Sequence, residues 1–230
     1  MKNNECPNIV EHYKCFNNNN SFYIINEYLD NGALLNYMKA HKSLEQKIEE
    51  KTLWYIFLQC AASLKYIHSK NIIHRNIKLD NIYITNNKIV KLGNFSKAIF
   101  LKNCGENNIN KEERLNEKIG SFLYRSPEME GKKEEKEKEK KKQEGYGKKT
   151  DIYSLGVVFH KLCFYEFPKD KTMNSEEEIK EKEIPQEIPK EMVELIEKML
   201  SKEEERPNSN DLYDLVKQLA EKRSLKIELY

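Results

Sequence analysis

Apolar residues recur at three- and four-residue spacing through Leu53, Trp54, Phe57, Leu58, Ala61, Leu64 and Ile67, which predicts a buried helix over residues 51–69. Residues 150–164 are apolar nearly all round, the pattern of a helix at the centre of a large helical body. Two amphipathic runs, 191–200 and 209–221, predict a further pair of helices, with Asn208 or Ser209 placed to cap the second. Ahead of these the period shortens. Runs 10–16 and 22–26 flank Asn17-Asn18-Asn19-Asn20, polar turn formers between aromatic and β-branched residues, and predict a hairpin. A second hairpin is expected from 81–85 and 88–92 around Asn86-Asn87. A little strand structure followed mostly by helices reads as an α+β chain.

One stretch breaks the pattern. Residues 131–149 are dominated by Lys and Glu, with no apolar side chain before Tyr146, so a solvated charged insertion is expected. The interleaved Glu argues against a basic interaction site. Gly145-Tyr146-Gly147 is a lone G-x-G with no strand before it and is expected to be a linker.

Composition narrows the class. A chain of 230 residues with a 38% hydrophobic share suffices for one domain with a core. Forty basic and 38 acidic residues leave a net charge of +2, so no global field argues for nucleic acid or a membrane surface. The five cysteines include no C-x-x-C pair, and the Met-Lys-Asn-Asn-Glu start carries no apolar signal core. Free thiols in an intracellular compartment, expected to be the cytoplasm, follow from that. No apolar run approaches the roughly 20 residues that a membrane-spanning helix needs.

The chemistry is concentrated in His74-Arg75-Asn76-Ile77-Lys78-Leu79-Asp80-Asn81. This stretch resembles the H-R-D-x-K-x-x-N catalytic loop of protein kinases, in which the Asp accepts the substrate hydroxyl proton and the Asn holds magnesium. Here the Asp position is Asn76, whose carboxamide has nearly the shape of a carboxylate but negligible basicity. Other segments carry the same resemblance in the same order. Cys6-Pro7-Asn8-Ile9-Val10 is similar to H-P-N-I-V, and Asn26-Glu27-Tyr28-Leu29 looks like the hinge, with Gly32 and Leu34 after it. Gly93-Asn94-Phe95-Ser96 stands where D-F-G belongs, and Gly120 to Glu128 resembles G-T-x-x-Y-x-A-P-E. Asp151 to Gly156 is similar to D-x-W-S-x-G, and Arg206-Pro207 supplies the arginine of the last helices.

From about residue 6 to residue 219 the chain therefore resembles the protein kinase superfamily, entered partway through. The resemblance implies a remnant N-terminal lobe (1–26), a hinge (27–30), a helical C-terminal lobe (31–221) and a tail (222–230). It implies ATP and magnesium as cofactors, bound weakly or not at all. Asn76 and Lys78 take the catalytic positions. Glu27, Leu29 and Tyr83 take adenine positions, Asn26 guards the back pocket, and Asn81 and Asn94 take the metal positions. Asn94 offers a neutral oxygen where hard Mg²⁺ favours a charged one, and Ser96 replaces a conformationally free glycine. Lys78 and Ser121 resemble the serine/threonine class. The wording around Ile72-Ile73-His74 and Asn81-Ile82-Tyr83-Ile84 is similar to both NimA-related and translation-initiation-factor kinases, and the subgroup stays open.

No G-x-G-x-x-G precedes the hinge, and only about twenty residues precede the second strand run. Either the true chain begins upstream or the protein dispenses with half of its nucleotide site. The leading expectation is a catalytically impaired serine/threonine kinase-like protein that regulates or scaffolds a protein partner. An active kinase acting on a protein substrate is the alternative, and a fragment without function is the third possibility. Oligomeric state is not legible. By resemblance, Glu128 pairs with Arg206, Asp151 accepts from the backbone near His74 and Arg75, and His74 and Phe95 stack in a column of apolar side chains connecting the lobes. Residues 97–119 contain no Ser, Thr or Tyr, so the phosphate that usually pairs with the arginine of H-R-D has no acceptor there. One of Glu112, Glu113 and Glu117, with Glu117 preferred, is expected to pair with Arg75 instead; the alternative leaves all three solvated.

Overall fold

Burial of aromatic faces against each other organises the helical body. The computed structural model describes residues 6–101, 114–130, 145–169 and 188–223. Helix α2 (Glu50–Ser69) buries twelve of its residues, and Phe57 stacks on Phe159 of the central helix with ring centroids 3.5 Å apart. Each such ring, fully buried, contributes about 1.5–3 kcal/mol of transfer free energy. Ahead of α2 lies α1 (Leu34–Ser43). The short helix α3 (Pro127–Glu130) precedes the central helix α4 (Lys149–Phe164), which is buried on nearly every side. It closes on Tyr165 in the left-handed region, a conformation that ends helices. α5 (Lys190–Leu200) lays Met192, Leu195, Ile196 and Met199 against the core. Gly156 permits that approach, since a Cβ there would lie 2.9 Å from Met199 Cβ. In α6 (Ser209–Lys222) the cap is Asn208, whose side chain accepts from the backbone N–H groups of Asn210 and Asp211.

The strands form three two-stranded sheets among the described residues. β1 (His12–Asn18) and β2 (Ser21–Asn26) pair antiparallel through Asn19 and Asn20, both at positive φ, the backbone that a two-residue hairpin turn requires and asparagine tolerates. All thirteen strand residues are exposed, so neither face of this ribbon is covered. β3 (Ile72–Ile73) pairs with β6 (Ile99–Phe100), and β4 (Ile82–Ile84) with β5 (Val90–Leu92).

Ahead of the ribbon, residues 6–10 are fastened to the helical body. Val10 N–H donates to Leu92 O, and Leu92 N–H donates to Asn8 O. The buried Asn8 side chain donates to Gln59 Oε1 (2.9 Å) and Val90 O (2.8 Å), while Gln59 Oε1 also accepts from Val90 N–H. Gln59 is therefore a polar bracket inside α2, fully partnered where an unpaired amide would cost several kcal/mol.

This is the mixed α+β architecture expected. Two readings change. Residues 145–147 are no linker: Tyr146 is buried and pairs with Leu115 in an antiparallel bridge, and α4 begins at Lys149. The charged stretch thus ends in packed structure, and 131–144 lie outside the described residues. α1 was not foreseen, because only Leu34 and Met38 of it are buried. Cys6, Cys15, Cys60 and Cys163 are free thiols, as expected; Cys104 lies outside the described residues.

Candidate active site

Asp151, at the start of α4, holds the loop 74–81 in place. Its Oδ1 accepts from Arg75 N–H (2.9 Å), and its Oδ2 accepts from His74 N–H (2.8 Å) and from His68 Nε2 (3.0 Å). These bonds hold Arg75 at φ +62, a left-handed conformation that costs a bulky residue roughly 1–2 kcal/mol. Gly120 presses against the same turn: a Cβ there would lie 2.3 Å from Arg75 O, so no side chain fits.

His74 is buried and neutral, because burial pushes its pKa down more strongly than the Asp151 charge raises it. Its partners fix the tautomer. Nε2–H donates to Gly93 O (2.9 Å), and Nδ1 accepts from Asn76 N–H (3.3 Å). The ring meets Phe95, centroids 4.8 Å apart, edge-on rather than stacked as expected, and this contact joins the loop to the Gly93–Ser96 turn.

Three asparagines then form a chain of their own. Asn81 Nδ2 donates to the Asn76 backbone carbonyl (2.8 Å), Asn94 Nδ2 donates to Asn81 Oδ1 (3.0 Å), and Ser96 Oγ donates to Asn94 Oδ1 (2.7 Å). The Asn76 carbonyl can only accept, so every amide in the chain is oriented by it. Asn94 sits at φ 60, ψ 65, left-handed backbone that suits asparagine. The Asn76 carboxamide oxygen lies 3.5 Å from Ser121 Oγ, beside the segment that resembles a substrate platform. Lys78 Nζ is 3.5 Å from Asp80 Oδ2, a half-buried, solvent-accessible pair of small energetic weight.

Of the residues expected to meet adenine, Glu27 is tied down: its N–H donates to Glu11 O, and its carboxylate accepts from Glu11 N–H and Lys91 Nζ, both at 2.7 Å. Leu29 N–H has no partner among the described residues, while its carbonyl accepts from Gly32 N–H. Tyr83 packs toward Gly93, where a Cβ would lie 3.0 Å from the Tyr83 ring and 2.7 Å from Val10. Asn26 is exposed, with Oδ1 3.2 Å from His12 Nδ1.

Arg75 binds the segment before the platform. Nε donates to Lys97 O (2.7 Å), and Nη1 lies 3.1 Å from Glu117 Oε2 and 3.4 Å from the Tyr146 hydroxyl. Glu117 thus takes the place expected for it; Glu112 and Glu113 lie outside the described residues. Beneath, Arg206 grips Glu128 with both terminal nitrogens (2.6 and 3.0 Å). Burial alone would raise the Glu128 carboxyl, but the Arg206 hydrogen bonds and charge outweigh it and hold the pKa below its ordinary value. Sequence reasoning missed two clamps, Tyr146 and Arg125. Arg125 donates through Nε and Nη2 to Gly120 O and pairs with Glu130.

Fold and loop geometry together define a protein kinase-like domain. The chain belongs to the protein kinase domain family, whose model it matches over residues 1–223. It is 34% identical over 163 residues to the human serine/threonine-protein kinase Nek5, covering 70% of this chain and 20% of that protein. Mouse serine/threonine-protein kinase Nek1 is 31% identical over 163 residues, 71% of this chain and 12% of that protein. Mitogen-activated protein kinase kinase 2 of Arabidopsis thaliana is 31% identical over 169 residues, 73% of this chain and 40% of that protein. The chain therefore spans well under half the length of these relatives. It is a serine/threonine protein kinase-like domain.

Proposed function

We propose that this domain is catalytically impaired and acts as a regulator or scaffold through contacts with another protein inside the cell. The observation that supports it best is the chemistry of two positions: Asn76 offers no proton acceptor, and the Asn94 amide donates to Asn81 instead of presenting a charged oxygen. Losing a general base costs about 10²–10⁴ in rate, roughly 3–5 kcal/mol of barrier. The residues present fit magnesium poorly, because a hard cation favours carboxylate oxygen and meets N–H here. ATP binding rests on the Leu29 N–H, unpartnered among the described residues, and on the Tyr83 face, and is weak and insensitive to magnesium. Glu117 on Arg75 supports a loop held in one state without phosphorylation.

A working kinase is the second reading. It draws on the retained Lys78 and Asn81 and on a loop framework whose Asp151, His74 and Phe95 contacts are all formed. The deciding experiment is phosphotransfer by the purified 230-residue chain to a generic protein substrate with ATP and Mg²⁺. No turnover above a heat-killed control is expected; magnesium-dependent transfer would overturn the impaired reading.

A further inference from the structure

The asparagine chain does more than fail to bind a metal. We propose that Asn94, Asn81 and the Asn76 carbonyl form a hydrogen-bonded strut that replaces a divalent cation as the cross-link between the 74–81 loop and the Gly93–Ser96 turn, and that closes the position to Mg²⁺ and Mn²⁺.

Two carboxylate or carbonyl oxygens set opposite each other repel unless a cation or a proton lies between them. Here the proton is built in. Asn94 Nδ2–H fills the gap to Asn81 Oδ1 at 3.0 Å. Asn81 itself is buried and cannot turn its amide, because its Nδ2 is spent on the Asn76 carbonyl at 2.8 Å. A cation entering between positions 81 and 94 therefore meets an N–H at one end. To offer oxygen, Asn94 must reverse its amide, which breaks the bond to Asn81. Ser96 can turn its hydroxyl to follow; Asn81 has no such freedom. What the cation gains in return is a second neutral oxygen, the weakest kind of ligand for a hard ion.

The carboxylate variant Asn94→Asp makes the strut testable. It sets an anionic oxygen against Asn81 Oδ1 and removes the proton between them. The inference rests on the impaired-kinase reading, yet the two fail separately: phosphotransfer sinks that reading, whereas metal binding at position 81 in an inactive chain sinks this one. Thermal melts of the full chain in metal-free buffer and in MnCl₂ are the first readout. Wild type should show the same midpoint in both, whereas N94D should melt roughly 2–4 °C lower without metal and recover with Mn²⁺. N94D that melts like wild type and ignores Mn²⁺ would overturn the strut. Should N94D fail to fold in either buffer, the free-Mn²⁺ electron paramagnetic resonance signal of wild type and Asn81→Ala decides. Equal free Mn²⁺ over both proteins upholds the closure, and binding by wild type that Asn81→Ala abolishes overturns it.

Discussion

The base of the site and its front carry the same residue shapes with different charge. At the base, Asp151 and Glu128 keep their carboxylates, and each oxygen of both accepts at least one hydrogen bond from buried or half-buried donors. At the front, Asn76 and Asn94 carry carboxamides, and the second of these donates where a carboxylate would accept. Charge has been kept where it satisfies backbone N–H groups and a guanidinium that would otherwise be buried unpaired. On the proposed reading it is absent where its work would be proton transfer or metal binding. The scaffold and the chemistry of this fold are thus separable, and each can be perturbed alone.

The largest effect is expected at the base. Asp151→Ala strands the N–H groups of His74 and Arg75 and the His68 ring, and should cost about 3–5 kcal/mol. A denaturant titration followed by circular dichroism reads it; a loss under about 1 kcal/mol would break the contrast. Glu128→Gln comes next, leaving the Arg206 charge facing a neutral amide, with an expected loss of about 1–3 kcal/mol. The sign with pH is fixed by the lowered carboxyl. Its contribution is fully present above the ordinary value of 4.5 and is lost as pH falls through the folded pKa. The gap between wild type and E128Q in thermal melts should therefore hold from pH 7 to 5 and close below. Smallest in stability is Glu117→Gln, because that carboxylate is largely exposed and such pairs are worth about 0–1 kcal/mol. Its effect should be local, with faster proteolysis or amide exchange in residues 114–120 and an unchanged global midpoint.

Much of this was legible in the pattern along the chain. The four long helical runs and both hairpins fall within two residues or so of their observed ends, because each has a strong period or a turn of asparagines. The Glu128–Arg206, Asp151 and His74–Phe95 contacts followed from motif positions, and Glu117 from the lack of a hydroxyl in 97–119. α1 was invisible because two buried residues four apart, Leu34 and Met38, make too short a stripe to stand out. Tyr146 was misread because an aromatic between two glycines after a charge run has no local period. Its backbone pairs with Leu115 and its hydroxyl meets Arg75, partners that only the folded chain brings near. Nor could spacing reveal that Asn94, Asn81 and Asn76 would be linked donor to acceptor, since amide orientation is set by three-dimensional neighbours.

The uncovered β1–β2 ribbon has a consequence in time. Its pairing is local, so it forms and opens in microseconds, and with neither face packed it has almost no stability of its own. The bracket through Asn8 and Gln59, and the tie of Glu11 and Glu27 to each other and to Lys91, stop short of His12 and Asn26, which leaves residues 12–26 free to open while α2 and α4 stay closed. In deuterated buffer the ribbon amides should label in the first seconds and those of α2 and α4 only on global unfolding, with the boundary falling between Val10 and His12.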